Sequence, residues 1–246
     1  MERRELLVRL LQWGAAGLWP WGISGCRTPP HQVTAGIASL EGHARVDGLP
    51  ARLGMLVRHD QTLETGADSR LALVMHQDAF LVGPSTRLRF QPAITASRPL
   101  PLWAQAGDAP LAAPPLAAFD VGGVILERGR VLSVFAPGNR LMRMPRMDIG
   151  IRGTGLFMQA DADQDYLCLC YGSARVTPTI TPDIPRDVNT RHHESPMRIE
   201  ADAPHQLVKA SMLNHTDDEL ILLESLVGRR PPFSHAGDPT ASRGMY

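Results

Sequence analysis

Lysine is all but missing from this chain of 246 residues: Lys209 stands alone, and arginine carries the positive charge. No charge sign prevails, with 25 Lys+Arg against 25 Asp+Glu. The balance therefore steers the chain toward neither nucleic acid nor anionic lipid. No repeat of fixed period is present, which excludes a solenoid array of sequence repeats. The chain has no G-x-x-x-x-G-K, no G-x-S-x-G and no His-Glu-x-x-His, so phosphate loops, nucleophile elbows and zincin helices are excluded. Neither a nucleophile–base set nor a pair of carboxylates is recognisable, and no enzymatic activity is expected. A Cys/His couple such as Cys170 with His215 would have the residue types for nucleophile and base if the fold brought them together.

What is plentiful is turn chemistry. Twenty-one prolines and 22 glycines favour many turns and short strands over long helices. The length allows one good-sized domain with appendages, or two small ones.

Residues 1–26 have a character of their own. Arg3-Arg4 with Leu6-Leu7 behind them, an apolar stretch Leu10–Ile23, and Ile23-Ser24-Gly25-Cys26 follow in order. The stretch is too short for a spanning helix, which needs about 20 apolar residues. The paired arginines resemble a twin-arginine export signal, and the ending resembles a lipobox. Residues 1–25 are thus expected to be a signal peptide and Cys26 the lipidated N-terminus. Its acyl chains would give stable membrane attachment where one chain would not. Arg27 in place of Asp is the arrangement that permits release toward the outer membrane.

Residues 26–34 form a linker held extended by Pro29-Pro30. Beyond it, period-two alternation between turn clusters predicts half-buried strands: Leu71, Leu73 and Met75 alternate with Arg70, Ala72 and Val74, and Leu88 and Phe90 with Arg87 and Arg89. Residues 92–118, rich in Pro and Ala, read as a long loop. Strand patterns return at 122–137, with Glu127-Arg128-Gly129 as a hairpin turn, and continue over 146–178. In the tail, 179–246, Thr216 and Glu219 form a capping box for a helix over about 216–228 with Leu220, Leu223 and Val227 on one face.

Two segments resemble a FecR domain, the periplasmic sensory module of FecR-type regulators. Residues 42–90 carry Glu64-Thr65-Gly66 and Asp68-Ser69-Arg70 where that family has its opening motifs. Residues 149–176 carry Ile151-Arg152-Gly153-Thr154, the family's most recognisable word, and end on Gly172, Ala174 and Val176. The resemblance covers about 35–178. It implies a mainly β, solenoid-like sandwich of short strands that binds a protein partner in the cell envelope and needs no cofactor. Arg152, Gly153 and Thr154 would be structural, latching strands through the guanidinium donors and the glycine backbone. The sequence has no recognisable anti-sigma region and no helix joining two sides of a membrane, so direct control of a sigma factor is not expected.

Cys168 and Cys170 lie in "DYLCLCYG". In a regular strand they share a face with Tyr166, their Cβ atoms about 6.6 Å apart from two strand rises. A disulfide wants about 3.8 Å, so none is expected unless the strand bulges. Leu167, Leu169 and Tyr171 would occupy the other face. The thiols are then either small core residues or ligands for zinc or copper with His192, His193 and His215 of the tail. The histidine before the helix cap also fits a plain packing role, and Asp217-Asp218-Glu219 fit simple complementation of the helix dipole.

Overall fold

The computed structural model describes residues 35–92, 121–204 and 206–234. The export segment, Cys26 and positions 93–118 of the Pro/Ala-rich loop lie outside them. The described chain is mainly β with one short helix, and none of its helices is long and apolar enough to cross a membrane.

Two sheets share the strands. The first has the order β1 (Ala35–Glu41), β5 (Arg70–Met75), β6 (Asp78–Val82), β8 (Val121–Val134), β11 (Gly155–Ala160), β12 (Gln164–Pro178), β14 (Met197–Glu200) and β15 (Val208–Lys209), antiparallel throughout. The second has the order β3 (Leu49–Pro50), β2 (Ala44–Val46), β4 (Thr62–Thr65), β7 (Arg87–Pro92), β8, β9 (Arg140–Arg143), β10 (Met147–Ile151), β12 and β13 (Arg186–Thr190). Only β8 and β9 run parallel in it.

β8 and β12 belong to both sheets. Residues up to Arg128 pair with β7, and those from Gly129 pair with β11. Glu127-Arg128-Gly129 is therefore not a hairpin turn but the point where one strand passes between sheets. Gly129 makes the bend at φ +85°, and a Cβ there would lie 2.4 Å from Thr86 Cα. β12 does the same at Gly172, at φ +96°. Left-handed angles cost a side chain energy but cost glycine little.

The inner faces meet in one core. Leu63, Leu88, Phe90, Met142 and Ile149 of the second sheet join Leu71, Leu73, Phe80, Leu156 and Leu169 of the first. Phe80 packs edge-on against Phe90 and Phe135, with centroids 5.0 and 5.5 Å away, the arrangement the ring quadrupole favours.

The first sheet is also covered outside. β5 and β6 are buried on both faces, Arg70 excepted, so these strands are not half-buried as their alternation predicts. Ala72, Val74, Ala79, Leu81, Leu132 and Phe157 form a second apolar cluster with Leu220 and Leu223 of α1 (Asp217–Leu226). Ala72, Val74 and Ala79 are the small or β-branched members of that cluster. Thr216 caps α1, with the Glu219 N–H donating to its hydroxyl at 3.3 Å and its own N–H donating to Glu219 at 2.9 Å. Gly228 follows at φ +72°, the usual left-handed exit.

Candidate metal centre

β12 carries Tyr166, Cys168 and Cys170 toward the second cluster while Leu167 and Leu169 enter the main core. Tyr171 departs from the alternation. Its cross-strand partner is Gly155, while Leu169 faces Leu156, the next residue, so Cys170 is the extra residue of a β-bulge. The bulge turns Tyr171 to the side of the cysteines. There is room for its ring only because Gly155 has no side chain: a Cβ there would sit 2.4 Å from Tyr171 Cε1. Both thiols are free and fully buried.

The tail returns over this face. The His193 N–H donates to the Cys170 carbonyl at 2.9 Å, and the Tyr166 hydroxyl donates to the Ser211 carbonyl at 3.0 Å while accepting from Leu213 N–H at 3.1 Å. These bonds bring Cys168, Cys170, His193 and His215 together, with one donor atom of each within 4.8 Å of all the others. Cys168 Sγ lies 3.3 Å from His193 Nδ1, and His193 Nδ1 lies 3.2 Å from His215 Nε2.

The outer nitrogen of each imidazole has a partner. His215 Nδ1 is 2.6 Å from the Leu213 carbonyl, an acceptor only, so Nδ1 holds the hydrogen and Nε2 turns a lone pair inward. His193 Nε2 is 3.0 Å from Asp217 Oδ1, which makes it the donor and leaves Nδ1 facing the cluster. Two lone pairs at that separation repel; a proton on His193 Nδ1, which its raised pKa favours, or a metal ion between the rings relieves this. Phe157 stacks on the His215 ring at 4.5 Å and fixes its plane.

Tetrahedral zinc with ordinary bond lengths separates two imidazole nitrogens by about 3.3 Å and a sulfur from a nitrogen by about 3.6 Å. The observed 3.2 and 3.3 Å lie close to both. With both cysteines buried and the His193 side chain only 7% exposed, the four donors form a closed set, the pattern of structural sites.

Electrostatics follow the same geometry. The Cys170 thiol, then His193 and His215, hold the Cys168 thiol down to about 4 against the cost of burial. Burial pushes Cys170 up, with the neighbouring Cys168 sulfur adding to it. Burial opposes charge on His193, but the Cys168 sulfur and the Asp217 carboxylate prevail and raise its pKa.

His192 stands apart from the four. Its Nε2 meets both Asp217 oxygens at 2.8 and 2.9 Å, and its ring stacks on Phe233 at 4.3 Å. Asp217 thus does more than complement the helix dipole: it holds two imidazoles. That role has no signal in the sequence, since an acidic first turn is ordinary. Beside the centre, the buried Glu224 carboxylate accepts from Tyr171 Oη and from Arg229 Nε, the latter at 2.6 Å. Burial pushes the Tyr171 hydroxyl up, and the Glu224 charge adds to it.

The remaining motif residues lie in the β body. Thr65 Oγ1 donates to the Gly83 carbonyl at 2.6 Å and accepts from Thr86 N–H at 3.0 Å. Gly66 N–H donates to the His43 carbonyl, and Ser69 Oγ accepts from His43 N–H at 2.8 Å. Asp68 is exposed, and Arg70 pairs with Glu219 of α1. At Arg152-Gly153-Thr154, backbone makes the latch: Phe135 N–H donates to the Thr154 carbonyl at 2.9 Å, and Gly153 at φ +87° passes close to Pro137. Arg152 itself is exposed, its charge bearing on Asp187.

No protein-family model and no curated protein matches the chain. Two crystal structures from Parabacteroides distasonis, each provisionally named an anti-sigma factor, are similar to it at 8% and 10% identity. Their TM-scores are 0.42 and 0.43, over 61% and 65% of this chain. The shared part spans 59% of the first and 71% of the second.

Proposed function

We propose that this chain is a non-enzymatic metal-binding module, with Cys168, Cys170, His193 and His215 holding one zinc or copper(I) ion. The observation that carries this is the pair of inward-facing imidazole nitrogens, His193 Nδ1 and His215 Nε2, 3.2 Å apart beside two buried sulfurs. Two thiolates and two imidazoles in a tetrahedral set suit these d¹⁰ ions and exclude magnesium or calcium, which want oxygen. A closed site leaves no position for substrate, which supports a structural or sensory role. The test is metal content by mass spectrometry on protein purified without chelator. One equivalent, lost in Cys168→Ser/Cys170→Ser, is the expected result; no metal in wild type after reconstitution with either ion would overturn the reading.

The module works in the cell envelope, exported and anchored through a lipid on Cys26, with a protein partner there, no nucleic acid, and the outer membrane as the favoured site. This second reading is supported by the ordered export signal and lipobox at residues 1–26, by the order of the FecR-like motifs, and by the β-rich body that carries them.

A further inference from the structure

The four donors come from three places in the chain. Cys168 and Cys170 sit inside the body on β12, His193 follows β13, and His215 immediately precedes the cap of α1. An ion held by all four therefore ties the start of the helix to the sheet. The helix has ten residues, too few to persist in water without tertiary contacts. Of its apolar side chains only Leu220 and Leu223 are fully buried, while Ile221 and Leu222 face outward. Its other ties to the body include the partly exposed Arg70–Glu219 pair and the Glu224 network with Tyr171 and Arg229.

We propose, on the strength of the metal-centre reading, that metal occupancy controls the docking of residues 214–234 on the outer face of the first sheet. Asp217 is the positioning residue that links the two. It occupies the first helical position and accepts the Nε2 proton of His193, so the orientation of a metal ligand and the seat of the helix are one constraint. With the ion bound, α1 packs on β6 and β8, whose Ala79, Leu81 and Leu132 share the apolar cluster with Leu220 and Leu223. When the ion leaves, the bonds that join Cys168 and Cys170 of β12 to His193 and His215 of the tail are lost, the helix start is released, and that surface opens. The module is then a metal sensor whose output is the exposure of this face.

Coupling of this kind is reciprocal. If the ion holds the helix, the helix holds the ion by the same factor. Hydrogen exchange of the full chain, read by mass spectrometry over α1 with zinc and after chelation, tests the proposal. Protection across 217–226 should fall at least tenfold on chelation and return with zinc. Cys168→Ser/Cys170→Ser changes no residue of the helix and should match the stripped protein whether or not zinc is added. Zinc affinity should drop about tenfold or more in Asp217→Asn, as for other outer partners of metal-bound histidines. It should also drop in Leu223→Ala, which is not itself a ligand, by the factor that this variant costs in helix protection. Stoichiometric zinc with unchanged exchange in α1 would overturn the staple and leave the metal centre standing. Failure to bind zinc or copper(I) at all would overturn both.

Discussion

His193 Nδ1 and His215 Nε2 face each other at 3.2 Å, each ring with its hydrogen committed to an acceptor on the far side. With both rings neutral, neither nitrogen can donate to the other; a proton added to His193 Nδ1 can bridge them while Nε2 keeps Asp217. A positive charge reconciles the two: a proton on His193 or, in the proposed centre, a metal ion held with the sulfurs of Cys168 and Cys170. His192, next in sequence to His193, is drawn away to Asp217 and Phe233. Adjacent histidines thus have different work.

That division sets the first expectation. His215→Ala removes an inward donor and should weaken zinc binding by about a hundredfold or more, beyond the usual effect of outer-sphere changes. His192→Ala should keep one equivalent and change affinity by less than about tenfold. Competition against a chromophoric chelator measures both. Equal losses in the two variants would contradict the assignment of ligands.

In metal-free protein Cys168 should be a thiolate at neutral pH. Its pKa is lowered to about 4 from the ordinary 9.0, so the folded state binds the proton less tightly than the unfolded chain. The sign follows: this group contributes stability fully above the unfolded thiol's range, progressively less as pH falls, and none below about 4. Thiolate ultraviolet absorption should titrate near that lower value and be absent in Cys168→Ser. A single step near the ordinary thiol pKa would refute it.

Arg229→Ala strands a carboxylate. Glu224 is almost fully buried, with the Arg229 guanidinium at 2.6 Å as its counter-charge. Breaking a buried pair from one side costs about 3–5 kcal/mol, read as a lower urea midpoint. Adding Glu224→Gln removes the orphaned charge and should restore most of the loss. No recovery in the double variant would place the cost in packing instead.

Gly123→Ala is expected to destabilise where Gly150→Ala does not. A Cβ at Gly123 would lie 2.1 Å from the Leu141 carbonyl oxygen on the parallel neighbour β9, and backbone cannot step aside cheaply. The cost is about 1–3 kcal/mol or more. At Gly150 the nearest atom would be 4.0 Å away, so thermal melting should barely change. Equal melting temperatures would mean that β8 and β9 are not paired as described.

Cys26→Ser tests the envelope reading apart from the metal. Labelled palmitate should enter the wild-type chain and not the variant, and the variant should leave the membrane fraction. Labelling that persists in the variant would end the anchor proposal.

Much of this protein is legible residue by residue. Alternation marks β5 and β7, and Thr216 with Glu219 marks the helix start, because strand period and capping are local matters settled within a few residues. The cysteines and histidines of the centre can also be named from composition, as one of two readings. Other features were beyond reach. Ala72 and Val74 look like the open face of β5 until the second apolar cluster, to which α1 contributes Leu220 and Leu223, buries them. Glu127-Arg128-Gly129 looks like a turn until β8 is seen pairing with β7 on one side and β11 on the other. The bulge at Cys170 reverses Tyr171 because Gly155, fifteen or so positions earlier, leaves a space for its ring. Asp217 becomes the partner of His193 only when the tail folds back. Each of these depends on contacts between distant parts of the chain, where the packing of one surface against another outweighs any local preference. Chemistry was written in the residue types; which of them meet was a matter of tertiary packing.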